Sequence, residues 1–549
     1  MHKLKPASYE EFLEQFRVDA PETYNFAFDF LDKADPKTLA MVHVDPQGKR
    51  REYDFGWFQE RSARLANALT AQGLAKGDRV MLILYRRVEY WVCMLALHRI
   101  GALPIPSPSL LTPHDIEFRV NFAHVKAAIV EDSVADRVAA ALPKCPTLSL
   151  LVQVGAEPKA DGWLGFEPLL ASADASFPRT PDSPGGRDPM VIFFSSGTTG
   201  MPKMVLHSFT YPLGHYTTAA YWHDLEPGDL HLTLSDTGWA KSVWGKFYGQ
   251  WLAGAAVFVW DFRGKFDPAE LLQIIAEHKV TTFCAPPTVY RFLVRQDLKS
   301  FDLSHLRHCV TAGELLNESV FRDWQTATGL PIYEGYGQTE TCLQIATFRC
   351  MNPKPGSLGK PCPGWDLVLM DDEGRPCEPG VEGEICIRLK EGGVLGLFQG
   401  YLDEPERTAK VIIDGFYHTG DKAWVDEDGY YWFMGRTDDL IKSSGYRVGP
   451  FEVESVLVAH DAVIEAAVTG VPDPVRGQAI KATVVLAPGF EPSDELTQKL
   501  QAWVKAETAP YKYPRIIEYV AELPKTISGK IKRAEIRQRD LEKYGAREM

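Results

Sequence analysis

The first part of the chain alternates apolar segments of two kinds. Apolar residues recur at helical spacing over residues 57–74 and 91–100, whereas residues 80–85 and 127–130 form short continuous apolar runs. Short runs are typical of buried strands, and longer segments with a period of 3.6 residues are typical of helices. The alternation of the two predicts an α/β fold with largely parallel sheets.

The end of the chain has a different pattern. From residue 451 onward it reads helix, strand, strand, helix, strand, which predicts a compact α+β unit of about a hundred residues. Before it, residues 435–454 (GRTDDLIKSSGYRVGPFEVE) are charged and broken by glycines, as expected of an exposed joint. We therefore predict two domains: residues 1–436, a large N-terminal domain of mixed and parallel sheets flanked by helices, and residues 437–549, a small α+β domain.

Composition narrows the class of protein. A chain of 549 residues, 45% hydrophobic, buries a large core and exceeds one ordinary domain. Its net charge of −14 disfavours nucleic acid or an anionic membrane as a partner. The nine cysteines form no C-x-x-C pair, which argues against structural zinc and disulfides. Neither a signal-peptide core nor a membrane-spanning apolar run is present, so we expect a soluble, cytoplasmic protein.

The segment VIFFSSGTTGMPKMVL, residues 191–206, indicates a phosphate-binding loop. A buried strand leads into flexible backbone, hydroxyl donors and one ammonium group: Ser195, Ser196, Gly197, Thr198, Thr199, Gly200 and Lys203. A polar hairpin turn is the alternative interpretation. The segment is not a Walker A loop, because Lys203 follows Pro202 and precedes Met204 rather than Ser or Thr.

Three further loops follow predicted strands. Residues 308–314 (HCVTAGE) and 332–340 (IYEGYGQTE) each run from a β-rich segment into a polar turn, and residues 418–421 (HTGD) end in Asp421. Ligands of open α/β sheets bind beyond the carboxyl ends of strands, so such loops converge on one crevice. The Asp421 carboxylate suits the two hydroxyls of a ribose, although T-G-D is common in surface loops.

In this order the motifs resemble those of the adenylate-forming superfamily, which includes acyl-CoA synthetases, luciferases and peptide-synthetase adenylation domains. The resemblance runs from about residue 50 to the end. Within the superfamily, the phrases SDTGW, PPTVYRFL, GYGQTE, SSGYRVGP, PDPVRGQ and APYKYPR look like medium-chain acyl-CoA synthetases. The implied co-substrates are ATP and CoA, with Mg²⁺ as the metal cofactor.

The resemblance also implies residue roles. Tyr336 stacks on the purine, Thr339 touches the α-phosphate, Glu340 holds Mg²⁺ and Lys530 is the catalytic lysine, so Lys530, Thr339 and Glu340 form the catalytic set. A surface glutamate and a solvated lysine are the alternatives for Glu340 and Lys530. Besides the loop of residues 195–203, the resemblance assigns ATP or AMP binding to Gly313, Glu314, Glu334, Gly335, Tyr336, Gly337, Gln338, Asp421, Arg436 and Arg447.

Other roles concern the second half-reaction and the acid. Asp438 resembles the hinge of a mobile C-terminal domain. The CoA candidates are Ser444, Gly445, Tyr446, Arg476, Lys505 and Arg515, although solvated surface cations are the alternative for the last three. The acyl-pocket candidates are Trp239, Lys241, Trp244, Cys284 and Gly337, with core packing as the alternative.

The implied reaction joins a carboxylic acid to CoA with ATP, through an acyl-adenylate, and releases AMP and pyrophosphate. Acetyl-specific relatives carry tryptophan where this chain has Gly337, so we expect short to medium, branched or small aromatic acids. An enzyme that loads a carrier protein, or a non-catalytic nucleotide-binding protein, is the alternative; against the former, the chain ends soon after Lys530. A homodimer is left open.

Overall fold

The computed structural model describes residues 3–158, 161–195, 202–437, 439–443, 446–473, 475–525 and 531–544. The strands in these ranges are β1 (Leu39–Val44), β2 (Arg50–Asp54), β3 (Arg79–Ile83), β4 (Leu103–Pro106), β5 (Ala127–Glu131), β6 (Leu150–Val154), β7 (Leu164–Gly165), β8 (Pro189–Ser195), β9 (Lys203–Ser208), β10 (Leu230–Thr233), β11 (Ala256–Trp260), β12 (Thr282–Cys284), β13 (His308–Ala312), β14 (Ile332–Gly337), β15 (Leu343–Ala346), β16 (Lys360–Pro361), β17 (Leu367–Met370), β18 (Gly383–Arg388), β19 (Gly400–Tyr401), β20 (Ile412–Ile413), β21 (Phe416–Val425), β22 (Tyr431–Arg436), β23 (Ile441–Ser443), β24 (Tyr446–Val448), β25 (Val463–Asp473), β26 (Gly477–Leu486) and β27 (Ile516–Tyr519).

The helices alternate with these strands along most of the chain. They are α1 (Tyr9–Gln15), α2 (Phe26–Asp29), α3 (Phe55–Ala71), α4 (Glu89–Ile100), α5 (Pro113–Phe122), α6 (Asp132–Ala141), α7 (Phe166–Ala171), α8 (Tyr211–Thr217), α9 (Ala240–Lys246), α10 (Tyr248–Leu252), α11 (Pro268–Glu277), α12 (Pro287–Leu293), α13 (Glu318–Thr328), α14 (Pro405–Ala409), α15 (Pro450–Val458), α16 (Asp494–Glu507) and α17 (Arg533–Tyr544). In the described ranges no helix is both long enough and apolar enough to cross a bilayer.

The first two predicted helices are α3 and α4. Helix α3 begins where the Asp54 side chain accepts the Trp57 N–H, and it ends at Ala71, before a glycine with positive φ at residue 73. Helix α4 is buried along almost its whole length and ends at Gly101, whose φ of 82° suits the left-handed region. Periodicity therefore located both helices, and caps set their ends.

Two parallel sheets form the body of the large domain. The larger runs β16-β15-β14-β13-β12-β10-β11-β1-β2. Its six inner strands are parallel, whereas β2, β15 and β16 pair antiparallel at the edges. The second, β4-β3-β5-β6-β7, is parallel throughout. Both faces of such sheets are covered, which explains the continuous apolar runs in the sequence and confirms the predicted α/β class.

Two antiparallel sheets complete this domain. One is β19-β9-β8, and the other is β17-β18-β21-β20 with β22 paired to β21. Strands β8 and β9 form a hairpin in which Ser195 lies opposite Lys203. The predicted phosphate-binding segment therefore connects two paired strands, and its residues 196–201 lie outside the described ranges.

The C-terminal region builds a separate sheet, β24-β23-β26-β25, to which β27 adds in parallel beside β26. Helices α15 and α16 cover an apolar core that includes Val453, Leu457, Leu500 and Val504. The predicted order of elements is present, with β23, β24 and α17 in addition. The division between residues 436 and 437 stays a prediction, although β22 ends at Arg436 and Phe451 packs against the core of the preceding sheet.

Helix α17 is fastened to this sheet by a buried ion pair. Lys481 on β26 pairs with Asp540, and the two side chains are 1% and 3% exposed. Asp540 also accepts a hydrogen bond of 2.8 Å from the Thr469 hydroxyl. Lys481→Met should lower the stability of the C-terminal domain by about 3 to 5 kcal/mol, because it leaves a buried charge without its partner.

Hydrogen exchange of the amides of β25, β26 and α17 measures this loss without assuming two-state unfolding of the whole chain. The control is Lys499→Met, whose pair with Glu495 lies on the exposed face of α16 and should change stability by no more than about 0.5 kcal/mol. Equal effects of the two substitutions would contradict the prediction.

Candidate active site

Two sheets meet at the carboxyl end of β14. Strands β13 and β14 are adjacent and parallel, so the residues that follow them emerge at the same edge of the large sheet. Facing them is β21, which carries Asp421 and is paired with β22 so that Asp421 lies opposite Arg436. The predicted loops therefore converge at one edge, as expected for an open α/β sheet.

Asp421 is held by side chains from β14 and from the loop after it. Its Oδ2 accepts hydrogen bonds of 2.6 Å from the Tyr336 hydroxyl and 2.6 Å from the Gln338 amide. Gln338 is itself oriented, because its Nε2 also donates to the Thr419 carbonyl and its Oε1 accepts from the Tyr417 hydroxyl. A carboxylate with one oxygen fixed in this way presents the other in a defined direction.

That second oxygen, Oδ1, lies 3.5 Å from a guanidinium nitrogen of Arg436. Gly420 makes this approach feasible, because its φ is +73° and a Cβ there would lie 3.0 Å from Arg436 Nη2. Burial first, and the charge of Asp421 second, raise the pKa of Tyr336, so its hydroxyl stays a donor at neutral pH. This half of the site offers a carboxylate and a guanidinium side by side.

The other half is a chain of polar groups on β9, β19 and the loop after β14. Lys203 Nζ donates to the Tyr401 hydroxyl at 3.2 Å, and that hydroxyl donates to Glu340 Oε1 at 2.9 Å. Tyr401 lies opposite Val205 in the ladder, which places its ring within 4.9 Å of the Lys203 ammonium. Burial lowers the pKa of Lys203, and the Glu340 carboxylate opposes that shift.

These groups form one electrostatic unit within an acidic chain. Burial and the Glu340 charge raise the pKa of Tyr401, whereas Arg407 and Arg436 act in the opposite direction. Both arginines therefore lie within range of the hydroxyl that joins Lys203 to Glu340. Lysine and arginine side chains grouped in this way can bind a polyanion such as a triphosphate.

The loop after β13 is positioned from two sides. Lys241 Nζ donates to the Ala312 carbonyl at 2.7 Å, and Gly313 next to it has a φ of +102°. Glu314 accepts a hydrogen bond of 2.7 Å from Thr288, and its side chain is exposed. These contacts place residues 312–314 beside β14. The contact of these residues with an adenine stays a prediction.

The Glu334 side chain, which the resemblance assigned to the nucleotide site, is buried between two loops. Its carboxylate is buried and accepts hydrogen bonds from the backbone N–H groups of Leu316 at 3.1 Å and Gly356 at 2.8 Å. Burial raises its pKa to about 8, and the two backbone donors oppose the shift. The Glu334 carboxylate therefore supports the loops on either side of β14, and the assignment of this residue to ATP or AMP binding stays a prediction.

Of the acyl-pocket candidates, Trp244 lies directly beside Gly337 on β14 and fills the space that this glycine leaves. A Cβ on Gly337 would lie 2.3 Å from Trp244 Cη2 and 2.6 Å from the Cys342 carbonyl oxygen. Lys241 lies within electrostatic range of the Cys284 thiol, and half-buried Trp239 caps the start of α9. The indole of Trp244 therefore occupies the space that a side chain at position 337 would need.

Two of the CoA candidates come together. Lys505 Nζ and Arg515 Cζ each lie 4.0 Å from the centre of the Tyr513 ring. Arg476 instead pairs with Asp473 on the β25–β26 connection, 3.4 Å apart. Tyr446, half exposed, stacks on Tyr511 with 4.1 Å between ring centres. Lys505 and Arg515 therefore lie against the same tyrosine ring, whereas Arg476 is paired with Asp473.

Several predicted residues cannot be placed. Those outside the described ranges are Ser196, Gly197, Thr198, Thr199, Gly200, Asp438, Ser444, Gly445 and Lys530, together with the side chain of Arg447. Ser195 and Thr339 are described: Ser195 ends β8, and the Thr339 carbonyl lies 2.7 Å from His207 Nε2. Gly335 packs against the Trp222 indole, which a Cβ there would meet at 2.7 Å.

Sequence reasoning missed three polar groups of the site. Tyr401, Tyr417 and the Thr419 carbonyl each contact an assigned residue. Thr419 lies within the HTGD motif and was available as a signal. The two tyrosines stand in ordinary strand sequence, and only the pairing of β19 and β21 with their neighbours brings them to the site.

Two family models match separate parts of the chain. The models of the AMP-binding enzyme and of the AMP-binding enzyme C-terminal domain match residues 31–402 and 452–530. The chain is 41% identical over 546 residues to the mitochondrial acyl-coenzyme A synthetase ACSM3 of Mus musculus, covering 97% of this chain and 93% of the relative. It is 42% identical over 534 residues to the mitochondrial acyl-coenzyme A synthetase ACSM4 of Homo sapiens, covering 95% and 91%.

A solved structure agrees with these relatives. The crystal structure of the anthranilate CoA ligase AuaEII in complex with anthranoyl-AMP has a TM-score of 0.87 and 31% sequence identity, covering 96% of this chain and 98% of that one. The chain belongs to the AMP-binding enzyme family. The prediction of an adenylate-forming enzyme of the medium-chain acyl-CoA synthetase group is confirmed.

The predicted location is wrong by the same comparison. A cytoplasmic protein was expected because neither a signal-peptide core nor a membrane-spanning apolar run was recognised. The relatives ACSM3, ACSM4 and ACSM5 are all named as mitochondrial proteins. The composition and the apolar pattern on which the expectation rested carry no information that separates these two compartments.

Tyr401→Phe tests the Lys203–Tyr401–Glu340 chain. A hydroxyl bonded to charged groups contributes about 1.5 to 3 kcal/mol, so kcat/KM for ATP should fall about tenfold or more. Steady-state kinetics at saturating acid and CoA give the value. Tyr430→Phe is the control, because its hydroxyl donates to the Asn352 carbonyl outside the site and its loss should change kcat/KM by less than about twofold. An unchanged Tyr401→Phe enzyme would exclude the role.

Proposed function

We propose that the protein is an AMP-forming acyl-CoA synthetase that activates a small carboxylic acid with ATP and transfers it to CoA. One observation carries the proposal: the Asp421 network and the Lys203–Tyr401–Glu340 chain meet at the loop after β14, through Gln338 and Glu340, and one suits a ribose while the other suits phosphates. Family membership and the synthetases among the relatives support it. The homodimer stays an open expectation.

The geometry gives the nucleotide an orientation. The ribose hydroxyls would bind Asp421 Oδ1 and Arg436, since Oδ2 already accepts two hydrogen bonds. The phosphates would extend toward Lys203 and the loop of residues 195–200, with Thr339 at the α-phosphate. Tyr336 would stack against the purine, and Gly313 and Glu314 would border its edge.

Glu340 suits a magnesium site. Its carboxylate is buried, Tyr401 bonds only Oε1, and Mg²⁺ in nucleotide sites takes one or two carboxylates together with phosphate oxygens. The ion, when bound, neutralises charge on the phosphates. Glu340 would hold it, while Lys203 and Arg436 bind the phosphates and the ribose directly.

The adenylation step requires positioning more than acid–base chemistry. A carboxylate is already a nucleophile, so the site must bring it to the α-phosphate and stabilise the charge that develops there. We assign the latter role to Lys530. Helix α17 begins three residues after it, and Arg533 at the start of α17 lies within electrostatic range of Glu314. This proximity supports a C-terminal domain that reaches the nucleotide site.

The thioester step requires another arrangement. The CoA thiol must reach the carbonyl carbon that the catalytic lysine approaches in the first step, so one rigid site does not serve both. Rotation of the C-terminal domain about Asp438 would exchange Lys530 for the segment of residues 444–447. Lys505 and Arg515, on either side of Tyr513, are the cations that we propose for a phosphate of CoA.

Trp244 is the residue that would limit the length of the acid. The atoms of its indole that lie against Gly337 are Cη2 and Cζ2, which belong to the outer part of the ring system. Acids whose chains end before this ring would bind without rearrangement. This favours short to medium, branched or small aromatic acids as substrates.

Lys530→Ala separates the two half-reactions. We expect near-complete loss of acyl-adenylate formation, measured as pyrophosphate release, while thioester formation from supplied acyl-adenylate is largely kept. The control is Lys525→Ala, five residues earlier, whose ammonium pairs with Glu465 at 2.6 Å. It should leave both steps intact. Equal loss of both half-reactions in Lys530→Ala would refute the assigned role.

Trp244→Phe removes Cη2 and Cζ2 and should open the pocket. Each further methylene that becomes buried contributes about 0.8 kcal/mol, or about fourfold in kcat/KM, so the preferred chain length should increase. A series of straight-chain acids, assayed with CoA, measures the shift. Trp251→Phe is the control, since this buried indole donates to the Ala40 carbonyl away from the site. An unchanged preference would place the pocket elsewhere.

A further inference from the structure

Three potential metal ligands meet on the sheet that carries Asp421. Cys386 on β18 lies directly opposite His418 on β21, and Glu384 is two residues earlier on β18, so its side chain points to the same face. His418 Nδ1 lies 3.4 Å from Cys386 Sγ and 3.0 Å from Glu384 Oε2. All three ligand atoms lie within 4.8 Å of one another.

These distances suit a tetrahedral ion. Zinc binds sulfur at about 2.3 Å and nitrogen or oxygen at about 2.0 to 2.2 Å, which places neighbouring ligand atoms roughly 3.3 to 3.6 Å apart. The two separations from His418 Nδ1 are close to this spacing, and Cys386 Sγ and Glu384 lie within 4.8 Å of each other, so side-chain rotations would close the site. Cysteine, histidine and glutamate are also the ligand types that zinc takes, and three protein ligands leave a fourth position for water.

Hydrogen bonds alone do not satisfy all three side chains of this cluster. A single hydrogen on His418 Nδ1 cannot point well at both the carboxylate and the sulfur, whereas a cation in its place contacts all three atoms. The Glu384–His418 pair is about a quarter exposed and would contribute little as an ion pair. The same exposure gives an ion and its water a route from solvent, while Cys386 is buried beneath.

We propose that Glu384, Cys386 and His418 form a binding site for a borderline-soft divalent cation of the Zn²⁺ class, separate from the proposed magnesium site at Glu340. On binding, the Cys386 thiol loses its proton to solvent, a sulfur–metal bond forms, and neutral His418 binds through Nδ1. Glu384 supplies one carboxylate oxygen, and water fills the fourth position.

The site is connected to the nucleotide crevice. Glu384 Oε1 accepts the Gly420 N–H at 2.8 Å, and Gly420 immediately precedes Asp421. Thr419 donates its hydroxyl to the Ile385 carbonyl at 2.7 Å, which fixes the same turn to β18. A cation that draws Glu384 Oε2 toward His418 therefore acts on the backbone that orients Asp421, and metal and nucleotide should change each other's affinity. This coupling rests on the proposed function.

Metal binding is tested first, on the full-length protein without nucleotide. After treatment with a chelator, Co²⁺ is titrated as a probe, and a thiolate-to-cobalt charge-transfer band in the near ultraviolet reports a sulfur ligand. Zn²⁺ should displace the Co²⁺ and abolish the band. Cys386→Ser should remove the band, and His418→Gln should weaken Co²⁺ binding at least about tenfold, since even the outer-shell partners of metal ligands contribute this much.

Cys377→Ser is the matched control. This half-buried cysteine lies in the connection between β17 and β18, and its thiol contacts the Glu382 carbonyl rather than His418, so its loss should leave the band unchanged. Absence of a charge-transfer band in the unsubstituted protein would overturn the site. A band that persists in Cys386→Ser, with the melting temperature of the variant unchanged, would overturn it equally.

The coupling is measured afterwards by titrating ATP with and without saturating Zn²⁺. We expect the dissociation constant of ATP to change at least about fivefold in the unsubstituted protein and to be unaffected by Zn²⁺ in Cys386→Ser. An unchanged constant would overturn the coupling. Absence of ATP binding under either condition would instead refute the proposed function, and the metal titration distinguishes the two failures because it requires no nucleotide.

Discussion

The site depends on one contact between two sheets: the Asp421 carboxylate of β21 must meet the Tyr336 hydroxyl and the Gln338 amide at the end of β14. An apolar cluster supports this contact, because Leu315 and Ile345 beside β14 belong to the same buried cluster as Ile385 and Ala423 of the facing sheet. Burial of that cluster brings the two sheet edges together. The polar groups next to this cluster then lie within hydrogen-bonding distance, because apolar burial has already positioned them.

The electrostatics of the site depend on the same contact between the two sheets. In a chain with a net charge of −14, a triphosphate binds only where cations are concentrated. Burial lowers the pKa of Lys203, and the charge of Glu340 is the largest effect that opposes this fall. Glu340 thus has two roles in the proposed mechanism: its charge opposes the fall in the pKa of Lys203, and it would offer an oxygen to magnesium when the nucleotide is present.

The same sheet shows why spacing in sequence is a limited guide to metal ligands. No two cysteines form a C-x-x-C pair, and the sequence was therefore taken to contain no zinc framework. Ladder pairing nevertheless places His418 directly across from Cys386, 32 residues away along the chain. Because side chains on adjacent antiparallel strands approach closely, a strand pair assembles ligand sets that have no local signature.

Periodicity and motif order alone determined the class of fold, the α+β character of the C-terminal region and the family, and they singled out Asp421, Arg436 and Lys203 as candidates. These depend on local patterns and on residue types that the chemistry requires. The tertiary structure alone decided that Glu334 faces inward, that Trp244 fills the space beside Gly337 and that Tyr401 joins Lys203 to Glu340. Which face of a strand is buried, and which distant side chain fills the space left by a glycine, depend on the packing of separate sheets, and no local pattern records that packing.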